Sequence, residues 1–584
     1  MKLKKSIFFL IAGMLTLPSC NDYLDKLPDN RVDPETPEQL RQILVDGYSV
    51  ANYASYCELS SDNIVDNQAP DENGIRYPNL TPYDPIDDQI FAWEDADKAT
   101  MQDSPTFIWT YCYKSIAVAN HVLAKLDEFE AAPERFSDSE REMMRALRGE
   151  ALMIRAYFHY VLTNIFAMQY GGPEKSAQLV GIPYTTKPET TVHVDYPRLS
   201  VAEDYDLIEK DMLEALPLID DNIYEQPKYH FNKRAANAFA ARFYMSKRDY
   251  AKADSYATAA LGADPSQMMR TQFWQYSSLN VDAVVQQYYS SASPSNFMLI
   301  PTMSWFYNTI GAESRYSVNR EASKATTGGY GPTWMPDKTR YYVHPCYINR
   351  LLVNGQSEYG TIFIKACYLF EYTDKIAGIG YSHTMRAEFT AEETLLTRAE
   401  ARLWLAFNGQ PAEDGTIYTV DDVVDDLRIW DDSRKQLPQH YDFDELTKDL
   451  IVEFYDRNAS RPYPDYDPRP YILQDVNIDE VCPSEKFTLR QEMMPYLWCV
   501  LHFRRIETAL DGYRWFDIKR YGIEITHKIG RDRVETLTKD DPRRALQLPI
   551  EAISSGMAPN DRFPSKVEPA ERTLAPSTMF KVNK

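Results

Sequence analysis

A pair of short helices joined by a tight turn is the feature that most constrains the fold of this chain. Apolar residues recur at helical spacing over residues 233–245 and again over about 250–261, and Arg248-Asp249 lies between the two runs. Small side chains let two antiparallel helices approach closely, tyrosines fill the groove between them, and a proline ends the second helix. The positions that carry this pattern are Ala241, Tyr244, Tyr250, Ala253, Ala260 and Pro265.

The spacing resembles a tetratricopeptide hairpin, which cannot bury its apolar face alone. We therefore expect at least two further hairpins to stack on it. The candidates are residues 106–127 with 138–168, and 391–408 with 419–430. Another helix is predicted to begin at Ser200, where Glu203 completes a capping box. The fold prediction is a mainly α, tetratricopeptide-like helical-hairpin scaffold with long irregular insertions; helical hairpins that pack without a repeat relationship are the alternative.

Three long segments interrupt the helical pattern. Residues 51–105, 266–390 and 436–497 are rich in Pro, Gly, Ser, Asn, Asp and aromatic residues, and their periodicity is weak. Disordered segments contain few aromatic residues, so we expect ordered loops with short strands or helices. Loops of this length in a folded protein usually carry function.

The N-terminus has the pattern of an export signal that ends at Cys20. Lysines precede a short apolar run, which then closes on Leu17-Pro18-Ser19-Cys20, a sequence typical of bacterial lipoproteins. We predict that residues 1–19 are removed, that Cys20 is acylated, and that about residues 20–35 tether the folded body, 36–584. An ordinary secretory signal that contains a cysteine is the alternative interpretation.

Charge and motif content exclude several classes of function. The chain has a net charge of −23, which disfavours nucleic acid and anionic lipid surfaces as partners. The seven cysteines include no C-x-x-C pair, so neither a disulfide framework nor a zinc site is expected. Nucleotide-binding and hydrolase motifs are absent from the sequence. No cofactor is expected, and we predict that the protein is not an enzyme, although the absence of motifs alone does not exclude a hydrolase.

Four segments together resemble the SusD/RagB family of outer-membrane lipoproteins. They are the acidic start Cys20-Asn21-Asp22-Tyr23-Leu24-Asp25, the helix ALRGEALMIRAYFHYVLTNIF at 146–166, the hairpin FNKRAANAFAARFYMSKRDYAKA at 231–253, and FRRIETALDGYRWFDIKRYG at 503–522 followed by Leu548-Pro549-Ile550. The last segment alternates opposite charges with aromatic residues. We interpret its charges as a partly buried ion-pair lattice that ties the C-terminal segment, 503–551, to the scaffold.

The resemblance implies a surface lipoprotein that captures an oligomeric nutrient, either a glycan or another oligomer such as a peptide. It also implies a partner, a SusC-like TonB-dependent transporter in the outer membrane, to which the nutrient is delivered. Two other functions stay open: a surface-anchored hydrolase of the same nutrient, and a helical-repeat scaffold that recruits proteins.

The ligand site is predicted among the aromatic residues of the loop-rich block 266–345. Pyranose rings stack on exposed aromatic faces, while amides and carboxylates bind their hydroxyls. The candidates are Trp305, Tyr307 and Trp334, the last in a glycine-rich stretch, together with Trp93, whose acidic neighbours suggest solvent. The alternative is that these rings form a small core that holds the loops together. Trp109, on the first predicted helix, is assigned to the core.

Overall fold

We describe the fold from a computed structural model of the chain. The described residues are 34–562, apart from 72, 78, 80–83, 97–101, 190–195, 272–280, 311–313, 335–345, 354–355, 364, 366, 368, 436–443 and 461–465, and apart from the side chains of 281, 307–308 and 346–363. The predicted signal, Cys20 and nearly all of the predicted tether lie outside these residues.

Helices dominate the described chain, which confirms the predicted mainly α class. In chain order the α-helices are α1 (Pro37–Leu44), α2 (Ala54–Ser60), α3 (Pro85–Phe91), α4 (Pro105–Glu130), α5 (Asp138–Phe166), α6 (Pro173–Ser176), α7 (Val201–Ala215), α8 (Lys233–Ser246), α9 (Tyr250–Leu261), α10 (Val281–Tyr288), α11 (Phe306–Ile310), α12 (Arg320–Ser323), α13 (Ala391–Asn408), α14 (Val420–Ser433), α15 (Lys448–Phe454), α16 (Arg469–Ile472), α17 (Ile478–Val481), α18 (Met494–Glu507), α19 (Tyr513–Tyr521) and α20 (Ile550–Ser554).

The predicted helices start and stop where their sequence signals lie. Ser200 caps α7 in a complete capping box with Glu203, and Ser137 caps α5 in the same way. Gly409 ends α13 in the left-handed conformation, with φ of 59°, which glycine adopts without a steric penalty. The helix predicted over 106–127 extends further at its C-terminal end, to Glu130.

The long helices stack into one scaffold. Helix α5 packs between α4 and α7, α8 packs on α9, and α9 packs on α13, which also contacts α14 and α18. Ala241, Ala253 and Ala260 are completely buried, as a close helix–helix seam requires. The expectation that further helix pairs stack on the 233–261 hairpin is confirmed.

The strands are few and form small antiparallel sheets. They are β1 (Val65–Asp66), β2 (Asn296–Met303), β3 (Tyr316–Ser317), β4 (Cys346–Val353), β5 (Gln356–Phe363), β6 (Leu369–Asp374), β7 (Ile379–Thr390), β8 (Ile525–Ile529) and β9 (Arg533–Leu537). The three-stranded sheet has the order β2-β7-β6, and the two-stranded sheets pair β1 with β3, β4 with β5 and β8 with β9.

The C-terminal segment is held to the scaffold by buried ion pairs. Arg504 on α18 lies 3.3 Å from Asp517 and 3.6 Å from Glu400 on α13. Arg520 on α19 pairs with the same Asp517, at 2.7 Å, and with Glu400. Arg504, Glu400 and Asp517 are almost fully buried and Arg520 is largely buried, so the charges are compensated inside the protein. The predicted ion-pair lattice is confirmed.

Among the described residues, no helix combines the length and the apolar character needed to cross a bilayer.

Candidate ligand-binding face

The loop-rich blocks 51–105 and 266–345 converge on one face of the scaffold. Strand β1 of the first block pairs with β3 of the second, where Val65 lies opposite Ser317. The Asn67 amide donates to the Ser314 carbonyl at 2.7 Å, and Arg315 pairs with Asp66 at 3.1 Å. The two blocks are therefore in contact, although two of the four aromatic candidates, Trp334 and Trp93, do not face solvent.

Trp334 is a core residue, so its interpretation as an exposed ligand-stacking ring is wrong. Only 4% of the residue is exposed, and its ring lies against Phe503 and His502 of α18, with centroids 5.7 and 5.8 Å apart. A Cβ atom on Gly331 would lie 2.1 Å from the Trp334 ring. The glycine in this stretch thus provides room for a buried indole, rather than flexibility for an exposed loop.

Trp93 is also buried, which corrects the second prediction. It is 2% exposed, its ring stacks on His527 at a centroid distance of 4.2 Å, and its Nε1 donates to the Ser60 carbonyl at 3.0 Å. Its acidic neighbours Glu94 and Asp95 reach solvent, as their charge suggested, but they also form ion pairs, and the indole beside them is buried. Asp95 contacts Arg562 at 2.6 Å, and Glu94 contacts Arg533 at 2.7 Å.

Trp305 is the candidate that faces solvent. It is 45% exposed, and it directly precedes α11. Its backbone amide donates to Asp103 Oδ2 at 2.6 Å, and the neighbouring Ser304 hydroxyl donates to both oxygens of the same carboxylate. The predicted exposure is confirmed, while its role in binding stays a prediction. Tyr307 lies within α11, and its side chain is outside the described residues.

Asp103 supports Trp305 from an unusual backbone conformation. Its φ is +66°, in the left-handed region that residues other than glycine rarely adopt, and it directly precedes the N-cap of α4. Burial raises the pKa of its carboxyl to about 7, and the hydrogen bonds from Ser304 and Trp305 only partly oppose this shift. The Asp103 carboxyl, which holds the backbone of Trp305 by hydrogen bonds, therefore changes its protonation state close to neutral pH.

An open cavity of about 380 Å³ lies on the same loop-rich side of the protein. Residues of both blocks line it, together with residues near 470–474 and 524–528. Its size falls within the range of small-molecule sites. The ring-bearing part of the lining is Phe91, Tyr471 and His527, and the uncharged polar part is Asn319, Gln474 and Thr526.

The charged groups at the cavity are fixed by their own partners. Asp62 lies 2.8 Å from Arg514 and 3.3 Å from Arg505. Burial opposes ionisation of Asp62, but the two guanidinium groups outweigh it and hold the pKa of this carboxyl well below its usual range. Asp66 is paired with Arg315. Within the described ranges, no group of three or more His, Cys, Asp or Glu side chains is arranged to hold a metal ion.

Sequence reasoning missed much of this cavity wall. Tyr471 and Gln474 come from the loop-rich segment 436–497, and Thr526 comes from a strand after the C-terminal signature. The charge-dense signature itself supplies Arg505. No local pattern marks these residues, since they meet only when α16, α18 and β8 pack together.

Comparisons with known proteins show which family the chain is similar to. Residues 22–245 match the model of a SusD-like family, whose description is starch-binding and associating with the outer membrane. No curated protein sequence matches the chain.

Solved structures share the fold across most of the chain. A SusD superfamily protein from Bacteroides vulgatus ATCC 8482 superposes with a TM-score of 0.58 and 18% identity, covering 91% of this chain and 100% of its own. A SusD superfamily protein from Bacteroides thetaiotaomicron VPI-5482 gives a TM-score of 0.53 and 16% identity, with 90% and 100% covered. A candidate sugar-binding protein from Bacteroides vulgatus ATCC 8482 gives 0.53 and 16%, with 91% and 99% covered.

Proposed function

We propose that this chain, a member of the SusD-like family, captures a glycan at the outer membrane and delivers it to a SusC-like TonB-dependent transporter. The observation that carries the proposal is the match of residues 22–245 to a family described as starch-binding and associating with the outer membrane. The fold shared with SusD superfamily proteins over about nine-tenths of the chain is consistent with it.

The geometry of the loop-rich face suits a sugar. An aliphatic sugar face packs on an indole or phenol ring, and its hydroxyls need donors and acceptors nearby. Trp305 offers an exposed ring, and the cavity offers Tyr471 beside amide and hydroxyl groups. The cavity carboxylate Asp62, whose pKa the two arginines lower, stays ionised, so it is a hydrogen-bond acceptor that does not require a cationic ligand.

Binding is tested with linear α-glucan oligosaccharides by isothermal titration calorimetry. We expect Trp305→Ala to weaken binding by roughly tenfold or more, because stacking on one ring contributes about 1.5 kcal/mol. Tyr229→Ala is the matched control: this tyrosine is 36% exposed, lies in the connection between α7 and α8, and does not line the cavity. Equal affinity of the Trp305 variant and the wild type would contradict this placement of the site.

Incubation of the same oligosaccharides with the protein separates binding from hydrolysis. We expect the oligosaccharides to be recovered intact. Shortened products would favour the alternative of a surface-anchored hydrolase. Failure of every glycan in a broad panel to bind would favour a protein-recruiting scaffold.

Anchoring through Cys20 is part of the proposal. Several acyl chains hold a protein at a membrane much more firmly than one, because each buried CH₂ contributes roughly 0.8 kcal/mol. We expect Cys20→Ala to release the protein from the outer-membrane fraction, as measured by cell fractionation and protease accessibility on intact cells. Retention of the variant in that fraction would show that lipidation is not the anchor. Co-purification of the wild-type protein with a TonB-dependent transporter tests the delivery step.

A further inference from the structure

A second groove, of about 460 Å³, runs along α4, away from the cavity between the loop-rich blocks. One wall is a stripe of α4 at four-residue spacing, and the opposite wall is the segment 183–189 with Tyr196 and Met557. The stripe consists of Trp109, Tyr113, Ala117 and His121, and it extends about 18 Å at the rise of an α-helix. The groove is therefore elongated rather than cup-shaped.

Trp109 shows that aromatic rings line this groove. The sequence assigned this residue to the core, but its ring is only partly buried and contributes to the groove wall. It packs edge-on against Phe166 at 4.9 Å and lies 4.8 Å from the Tyr113 ring. Tyr196 faces the groove from the opposite wall, where its hydroxyl donates to Glu189.

The floor and far wall are fixed by buried polar contacts. Asn120, which is almost completely buried, donates to the Thr185 carbonyl at 3.1 Å and accepts from Arg155 at 3.1 Å. Arg155 is itself held by Asp211 on α7, at 2.6 Å. The Tyr113 hydroxyl donates to the Pro183 carbonyl at 2.7 Å. These bonds hold the segment 183–186 in place before any ligand arrives, which lowers the entropy cost of binding.

We infer that this groove is a second glycan-binding site, which accepts an extended stretch of the same polymer as the loop-rich face. Its rings are set among polar side chains, Thr185, Lys187 and Glu189, in the combination that a chain of sugar rings needs. The small Ala117 in the middle of the stripe leaves the floor low enough for a chain to pass over it. This inference rests on the proposed glycan-binding function.

Two sites on one protein bind a long chain more tightly than either site does alone. When one site holds the polymer, the effective concentration of the rest of the chain at the other site rises. Short oligosaccharides receive no such gain, but they should occupy both sites independently. The ratio of polymer affinity to oligosaccharide affinity, together with the stoichiometry, therefore reports the second site.

The experiment compares three variants of the full mature protein by calorimetry, with short α-glucan oligosaccharides and with the soluble polymer. Trp109→Ala removes the ring, and Ala117→Arg fills the groove without removing a core contact. Glu128→Arg introduces the same side chain on the exposed surface of α4, two turns beyond the groove, and serves as the matched control. Thermal melts of all variants identify any that fail to fold.

We expect the wild type to bind two short oligosaccharides per protein, and the Trp109 and Ala117 variants to bind one. We also expect polymer affinity to fall by at least about tenfold in both variants and to be unchanged in the control. One oligosaccharide per wild-type protein, with unchanged affinities in both groove variants, would overturn the second site and leave the proposed function intact. Loss of all binding in Trp305→Ala would likewise overturn it. Absence of glycan binding by the wild type would refute the proposed function itself.

Discussion

The helical scaffold and the loop-rich face both bury large aromatic residues, but they do so by different means. In the scaffold, the helical spacing of α13 places Trp404 on the buried side of the helix. Its ring stacks there on Tyr250 of α9, at a centroid distance of 5.1 Å. In the loop-rich face, Trp334 and Trp93 are buried by a glycine without a side chain, by a stacked histidine and by backbone carbonyls. Aromatic residues in an aperiodic segment are therefore as able to form a core as those in a helix.

Truncation of the buried tryptophans tests whether loops and helices bury their rings equally well. These substitutions should give the largest changes in the free energy of unfolding. We expect Trp334→Ala and Trp404→Ala each to lower the free energy of unfolding by about 3–5 kcal/mol, because both leave a cavity in packed surroundings. Trp305→Ala, at an exposed ring, should change it by less than about 0.5 kcal/mol. The measurement is chemical denaturation followed by circular dichroism. A small effect at Trp334 would show that the loop-rich face does not bury its rings as the scaffold does.

Overpacking of the contact between α8 and α9 should lower the free energy of unfolding by an intermediate amount. Ala241 and Ala253 are completely buried where α8 packs on α9. We expect Ala241→Trp or Ala253→Trp to destabilise the protein by about 1–3 kcal/mol, since the helices must separate to accept the larger ring. Lys252→Ala, which removes only partly exposed ion pairs with Glu209 and Asp249, is the control and should stay within about 0.5 kcal/mol. Unchanged melting temperatures in both the Ala241→Trp and the Ala253→Trp variant would contradict close packing of α8 on α9 at these residues.

The pH dependence of stability at Asp103 tests a carboxyl that belongs to the loop-rich face. Burial raises the pKa of the Asp103 carboxyl to about 7, above its usual value near 3.8. The folded protein then holds a proton that the unfolded chain has lost, so this residue makes stability fall as pH rises from about 4 to 7. We expect Asp103→Asn to remove this contribution. If glycan binds at Trp305 as proposed, the variant should also lose an inflection near pH 7 in glycan affinity.

A comparison of the wild type with the Asp103 variant across pH 4–8 isolates this carboxyl from other groups that titrate there. Burial also brings the pKa of Glu58 to about 7, which is why the difference between the two proteins matters. Parallel stability curves for the two proteins would contradict the assignment.

The scaffold was more predictable from the sequence than the site, for a physical reason. Helices such as α5 and α13 are specified by local signals, namely spacing of apolar residues, a capping box and a terminal glycine. The burial of Trp93 depends instead on the stacked ring of His527, which lies more than four hundred residues away in the chain. No local pattern contains that information. Trp305 was identified correctly as exposed, and the cavity wall near Tyr471 was not identified.

The pairing of Asp62 with Arg505 and Arg514 also bears on how the protein is made. The Asp62–Arg514 bond joins residues that are 452 positions apart, and Arg504 and Arg520 neutralise the buried carboxylates of α13 from the same late segment. A chain released before α18 would leave Asp62 and Glu400 as uncompensated charges in the interior, at a cost that marginal stability does not tolerate. Truncated products should therefore remain open to proteases, so that only complete chains accumulate as folded protein.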